Sequence, residues 1–212
     1  NVYKGQSHNH PAAIEPYEGA ATGIGGIVRD MFAMGAIPIA LLNSLRVSNL
    51  ENDKNLEIAK GVIRGISGYG NCLGIPNIGG ECFFDSCYES NPLVNAMCVG
   101  IVDIDKILSA KAENPGDLLL LVGAETGRDG IHGASGLASQ TFEETTELRS
   151  AVQVGNPFLE KHLIEACLEI SSLKGLVGMQ DCGAAGITSA AIEMAKRSTL
   201  GIRIVVSKVP TT

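Results

Sequence analysis

Tryptophan is absent and aromatic residues make up only 4% of the chain, which excludes the stacking platform that single-stranded nucleic acid requires. Cationic residues are also in deficit: Lys and Arg number 16 against 23 Asp and Glu, a formal charge of −7. That balance argues against a broad nucleic-acid or anionic-membrane surface and leaves room for a local basic pocket. No run reaches the ~18 apolar residues that a spanning helix needs. No charged-then-apolar leader opens the chain, so nothing points to secretion. The six cysteines (Cys72, Cys82, Cys87, Cys98, Cys167 and Cys182) form no C-x-x-C pair and show no zinc-module spacing. They read as buried free thiols of a reducing compartment. A Walker loop and a G-x-S-x-G elbow are both missing, which rejects P-loop and hydrolase-elbow chemistry.

What is present is apolar and rich in glycine. Hydrophobic residues are 45% of the 212 and glycines number 26. There is ample apolar surface to bury, so disordered, collagen-like and coiled-coil chains are excluded. The length allows one large or two small domains in a soluble globular protein. Glycine at this density implies tight turns and close backbone approaches of the kind that cradle phosphates. The chain opens abruptly at Asn1 and stops just after a strand-like run, so both ends read as cut from something longer.

Apolar Ile24, Ile27, Val28 and Met31 recur on one face, predicting a helix over 20–35. Gly19 lies at its edge and Gly23, Gly25 and Gly26 lie inside it. Interior glycines cost up to about 1 kcal/mol each relative to Ala, which calls for close approach to a ligand or another chain. Strands are expected at 38–47, 81–85 and 95–102, the last apolar on both faces and therefore buried. A turn at 76–80 leads into the second of these. Ile58, Val62 and Ile66 mark a helix over 56–73.

Charge followed by Pro115-Gly116 places a domain boundary there, giving units 1–114 and 115–212. The second unit is expected to hold strands at 117–123, 176–180 and 201–206. Its helices are expected at 187–197 and after Asn156-Pro157, the latter with Leu159, Leu163, Ala166, Cys167 and Ile170 as its buried stripe. A glycine loop over 126–136 carries Arg128, Asp129 and His132, and 142–149 reads as an exposed acidic segment. The fold class is α+β in two units, the second incomplete.

Four constellations could carry chemistry. In Ser7-His8-Asn9-His10-Pro11, an extended backbone would put His8 and His10 on one face. The pair suits metal ligation, proton transfer to a polar ligand, or simply a surface turn before proline. Arg29 offers a fork for phosphate or carboxylate and Asp30 an oxygen for a hard cation; a solvated charge pair on the polar helix face is the alternative. In Gln180-Asp181-Cys182-Gly183-Ala184-Ala185-Gly186, Asp181 is either a metal ligand before an anion-binding turn or a helix cap. The glycine loop after Thr126 is the fourth and carries little by itself. Composition and spacing reach only a domain pair suited to phosphate and divalent metal.

The run SHNHPAAIEPYEGAATGIGGIVRDMFAMGAIPIALLNSLR closely resembles the phosphoribosylformylglycinamidine synthase family, the PurL-type synthetase subunit of purine biosynthesis. GYGNCLGIPNIGGE, NPLVNAMCVG, GDLLLLVGAETGRDGIHGAS, AVQVGNPF and QDCGAAGITS match the same family, in its order. The resemblance spans essentially the whole chain. It implies the aminoimidazole ribonucleotide synthetase-like (PurM-like) fold, with an N-terminal α+β unit followed by an incomplete C-terminal α/β unit, from an early internal segment of a longer chain.

It further implies an ATP-dependent ligase. The amide oxygen of formylglycinamide ribonucleotide is phosphorylated, and ammonia from a glutaminase partner displaces phosphate to give the amidine. By motif match, Ser7, His8, Asn9 and His10 contact substrate with His8 as proton acceptor, Arg29 and Gln153 bind substrate, and Lys4 contacts ATP. Asp30 and Asp181 share a magnesium ion. Gln6 stands where the family places a second magnesium ligand, Glu. A carboxylate lost beside the ion matters, because a unit charge pair at about 4 Å is worth about 4 kcal/mol at an effective dielectric of 20. The resemblance also implies a small PurS-like subunit, a cytoplasmic location, no nucleic-acid or membrane partner, and a segment that is inactive alone and able to homodimerise. Other members of the same superfamily, or a non-catalytic dimerising piece, are the alternatives.

Overall fold

The computed structural model describes residues 1–128, 130, 131, 133 and 151–212. Asp129, His132 and the expected acidic segment 142–149 lie outside the described residues.

Four strands form one sheet in the order β1-β4-β2-β3: β1 Val2–Ser7, β2 Ile37–Val47, β3 Asn77–Phe84 and β4 Leu93–Ile101. β4 runs antiparallel to both neighbours, and β2 pairs with β3 in parallel. A parallel pair requires a crossover, and α3 (Asp53–Leu73) supplies it. This helix is capped at both ends. The Asn52 side chain accepts from Lys54 N–H, and Gly74 at φ 73° closes the last turn, a left-handed position that glycine occupies without steric cost.

Helix α1 is Asn9–Ile14 and α2 is Pro16–Ala33. The predicted stripe of α2 forms the centre of the core: Ile24, Ile27, Val28 and Met31 are all fully buried. Ile58, Val62 and Ile66 of α3 are buried as their spacing requires. Two expectations in this half are corrected. Residues 77–80 are strand rather than turn, because the ladder with β2 already begins at Asn77. β4 is buried on one face only, since its exposure alternates residue by residue.

The later part of the chain contributes α4 (Pro157–Ile170) and α5 (Gly186–Ser198). Asn156 caps α4 as expected, accepting from Leu159 N–H. The strands expected at 117–123, 176–180 and 201–206 do not form. Leu118 and Leu120 are 92% and 88% exposed, and among the described residues the only bridge in this part is Thr126 to Thr211. An apolar run becomes a strand only when a neighbour takes its backbone donors and acceptors. The cysteine expectation is also corrected: Cys98 and Cys167 are buried, whereas Cys72, Cys82 and Cys87 are exposed and Cys182 lies between.

Candidate functional site

The first strand brings several of the singled-out residues to α2. Alternation along β1 places Lys4 and Gln6 on the same face, and Gln6 Nε2 donates to the Gly23 carbonyl at 3.0 Å. Ser7 ends the strand, its hydroxyl donating to Asn95 Oδ1. The chain then turns. His8 N–H donates to the Val94 carbonyl at 2.8 Å, and Asn9 Oδ1 takes the Val94 N–H at 3.0 Å, so a side chain accepts where a longer strand would have used its backbone. His8 precedes α1 and His10 lies within it. The expected shared strand face of His8 and His10 is therefore corrected. Pro11 is tolerated because the first four N–H groups of a helix have no partner inside it.

His8 is aimed by the start of α2. Its Nδ1 lies 2.7 Å from the Gly19 carbonyl. A carbonyl only accepts, so Nδ1 carries the proton and Nε2 keeps its lone pair. Burial pushes the imidazole pKa down, the Gly19 bond opposes this, and the Arg29 charge adds to the lowering. The ring is thus held neutral, with a basic nitrogen available.

Arg29 and Asp30 lie near the end of α2, and Asp181 meets them from the segment between α4 and α5. Arg29 Nε is 3.8 Å from Asp181 Oδ2, with the two side chains 27% and 12% exposed. Burial raises the Asp181 carboxyl, the negative charge of Asp30 raises it further, and Arg29 and Lys4 oppose both. A buried carboxylate disfavoured by a neighbouring negative charge is a situation that a divalent cation would relieve. Among the described residues no group of three or more His, Cys, Asp or Glu forms a ready cage. A pair of carboxylates nevertheless fits magnesium, which keeps several waters and is commonly completed by substrate phosphates.

Gln153 is exposed and lies beside Gly130. Its segment is tied to α2 two residues later, where Gly155 N–H donates to Glu18 Oε2 at 2.8 Å. The α2 glycines have a different cause from the one expected. A Cβ on Gly23 would meet His8, one on Gly26 would meet Gln6, and one on Gly25 would meet Tyr69 and Glu160. Each makes room for a side chain of this same chain rather than for a ligand or a second molecule.

Two family models match the chain: AIR synthase related protein, N-terminal domain, over residues 2–102, and its C-terminal domain over 114–212. Thermotoga maritima PurL complexed with FGAR is 45% identical at a TM-score of 0.89, over 99% of this chain and 33% of that one. The same protein complexed with ATP is 42% identical at 0.82, over 99% and 31%. The chain belongs to the phosphoribosylformylglycinamidine synthase family. Escherichia coli HypE, 19% identical at a TM-score of 0.65 over 99% of this chain and 62% of that one, shares the fold alone. The chain spans about a third of the length of the PurL structures it matches.

One residue of this family member escaped the sequence reading altogether. Glu160 is buried at 6% exposure on α4, where the expected stripe was Leu159, Leu163, Ala166, Cys167 and Ile170. The observed buried face is Glu160, Ile164 and Cys167. The only signal was a carboxylate at i, i+4 and i+7 with two apolar residues, which reads equally well as a helix edge.

Proposed function

We propose that this chain supplies the formylglycinamide ribonucleotide and metal sites of an ATP-dependent, amidine-forming ligase of purine biosynthesis. The observation that carries the reading is the alignment along α2 of His8, held on the Gly19 carbonyl at the helix start and within the field of Arg29, with Arg29, Asp30 and Asp181 at the helix end. Phosphorylating an amide oxygen and then adding ammonia requires a base at the nitrogen, a cation for the substrate phosphate and positive charge beside the triphosphate.

His8 Nε2 accepts the proton released as nitrogen attacks, while its Nδ1–H stays with Gly19. Arg29 binds the substrate anion, with Ser7, Asn9, His10 and Gln153 as further substrate contacts. Asp30 and Asp181 hold magnesium, which supplies charge to offset the phosphates when bound. Lys4 contacts ATP from the β1 face shared with Gln6. Gln6 donates to a backbone carbonyl and offers at most a neutral oxygen to a second ion, so metal affinity there is lower than with Glu. The units divide near Pro115, at 1–114 and 115–212. Ammonia comes from glutamine through a glutaminase subunit, with a small PurS-like subunit, in the cytoplasm. Complexes of T. maritima PurL with ATP and with FGAR support the two substrates, and the T. maritima PurLQS structure supports the presence of partner subunits.

The test is phosphate release from ATP with ribonucleotide and ammonia. A longer protein containing this chain should turn over and its His8→Ala variant should not, whereas the 212-residue chain alone should be inactive. Undiminished turnover by His8→Ala would remove the proton-acceptor role. The exposure of Ile78, Phe83 and Phe84 on β3 favours a second reading, in which the isolated chain pairs with a copy of itself and does no chemistry. Measuring its mass in solution separates the two.

A further inference from the structure

Ser7, Asn95 and Ser44 form one row across three strands, because the ladders pair Ser7 with Asn95 and Asn95 with Ser44. The row lies on the sheet face away from α2. On β4 the buried neighbours of Asn95 are Val94 and Ala96, and side chains alternate along a strand. The hydrogen bonds of the row have fixed directions. Asn95 Nδ2 donates to the Ser44 carbonyl at 3.0 Å; a carbonyl only accepts, so the amide cannot sit the other way round. Its Oδ1 is thereby presented to Ser7. That oxygen also only accepts, so the hydroxyl must spend its proton there. Ser44 is held in turn, its hydroxyl donating to Glu81 Oε1 at 3.0 Å, where Arg46 donates at 2.6 Å. A hydroxyl has one proton and two lone pairs. What Ser7 has left is acceptor capacity alone, on an exposed residue.

We infer that Asn95 is a positioning residue that commits the Ser7 proton, so that Ser7 meets the substrate as an acceptor. Its partner there is an O–H or N–H, on the ribose or the amide, and not the phosphate, whose oxygens themselves only accept when it is a dianion. The clause on substrate rests on the function proposed above.

The test takes the longer protein containing this chain and two ligands that differ only in the phosphate, formylglycinamide ribonucleotide and its nucleoside, titrated by NMR. Losing one acceptor weakens binding by about 3- to 10-fold, and Ser7→Ala should do so equally for both ligands. A loss confined to the ribonucleotide, or no loss, would overturn the inference, since Ser7 would then serve the phosphate or nothing. Asn95→Ala should weaken binding by a similar factor, and combining it with Ser7→Ala should be no worse than either alone, because Asn95 acts through Ser7. Additive losses would reduce Asn95 to a structural role and overturn its positioning one. Asn95→Val, which suits a strand, takes the place of Asn95→Ala if that variant does not fold. An unaltered protein that binds neither ligand would instead remove the proposed function, and the clause on substrate with it.

Discussion

Glu160 should leave a pH signature on stability. Burial raises its carboxyl to about 7 from an ordinary 4.5, against the Tyr69 hydrogen bond and the Arg29 charge, which lower it. Below about 4.5 the group is protonated whether the chain is folded or not. Between the two values the folded chain keeps a proton that the unfolded chain has released, so its stabilising contribution is lost as pH rises through about 7. At 1.36 kcal/mol per pKa unit, the full loss is about 3 kcal/mol. Glu160→Gln mimics the protonated form and still accepts from Tyr69, so it carries no such loss. Urea unfolding of both proteins from pH 5 to pH 8 should therefore show a widening gap, with the variant gaining about 2.5 kcal/mol on the wild type over that range. The other titrating groups cancel in the difference. Parallel stability curves would refute the reasoning, because they would mean that the carboxylate is not desolvated.

Other consequences follow from particular contacts. Gly25→Ala must push a methyl into Glu160 and Tyr69 and should cost about 1–3 kcal/mol, read by thermal unfolding. Gln6→Glu exchanges the donor to Gly23 for a second acceptor; it should cost about 1 kcal/mol of stability while tightening magnesium binding in calorimetry, and unchanged affinity would remove position 6 from the metal site. Ile24→Ala, at a fully buried position, should cost about 2–5 kcal/mol in urea unfolding. Native thiol labelling should reach Cys72, Cys82 and Cys87 and spare Cys98 and Cys167, as mass spectrometry would show.

Much of the N-terminal half was legible because its elements carry their own local signals. The stripe of α2 and that of α3 follow the helical repeat; in the later part of the chain Asn156 was legible for the same reason, as a cap whose side chain does its work within a turn. The strands expected after residue 115 were misread for the opposite reason. An apolar run records how a segment would behave beside a partner and contains no information on whether that partner is present. Residues 118–122 have the composition of a core strand and lie exposed.

The order of residues alone determined the helices α2 and α3 and the face each buries, and that His, Arg and Asp of the right types occur in family-specific runs. Three matters were settled only by tertiary packing. Asn9 ends β1 by capturing the Val94 N–H from a strand 85 positions away, which turns His8 toward Gly19 and fixes its tautomer. Asp181 comes within 3.8 Å of Arg29 although 152 positions separate them. The α2 glycines prove to be seats for Gln6, His8, Tyr69 and Glu160. Periodicity and capping act within a few residues, whereas burial, charge coupling and van der Waals fit depend on which distant segments the folded chain brings together.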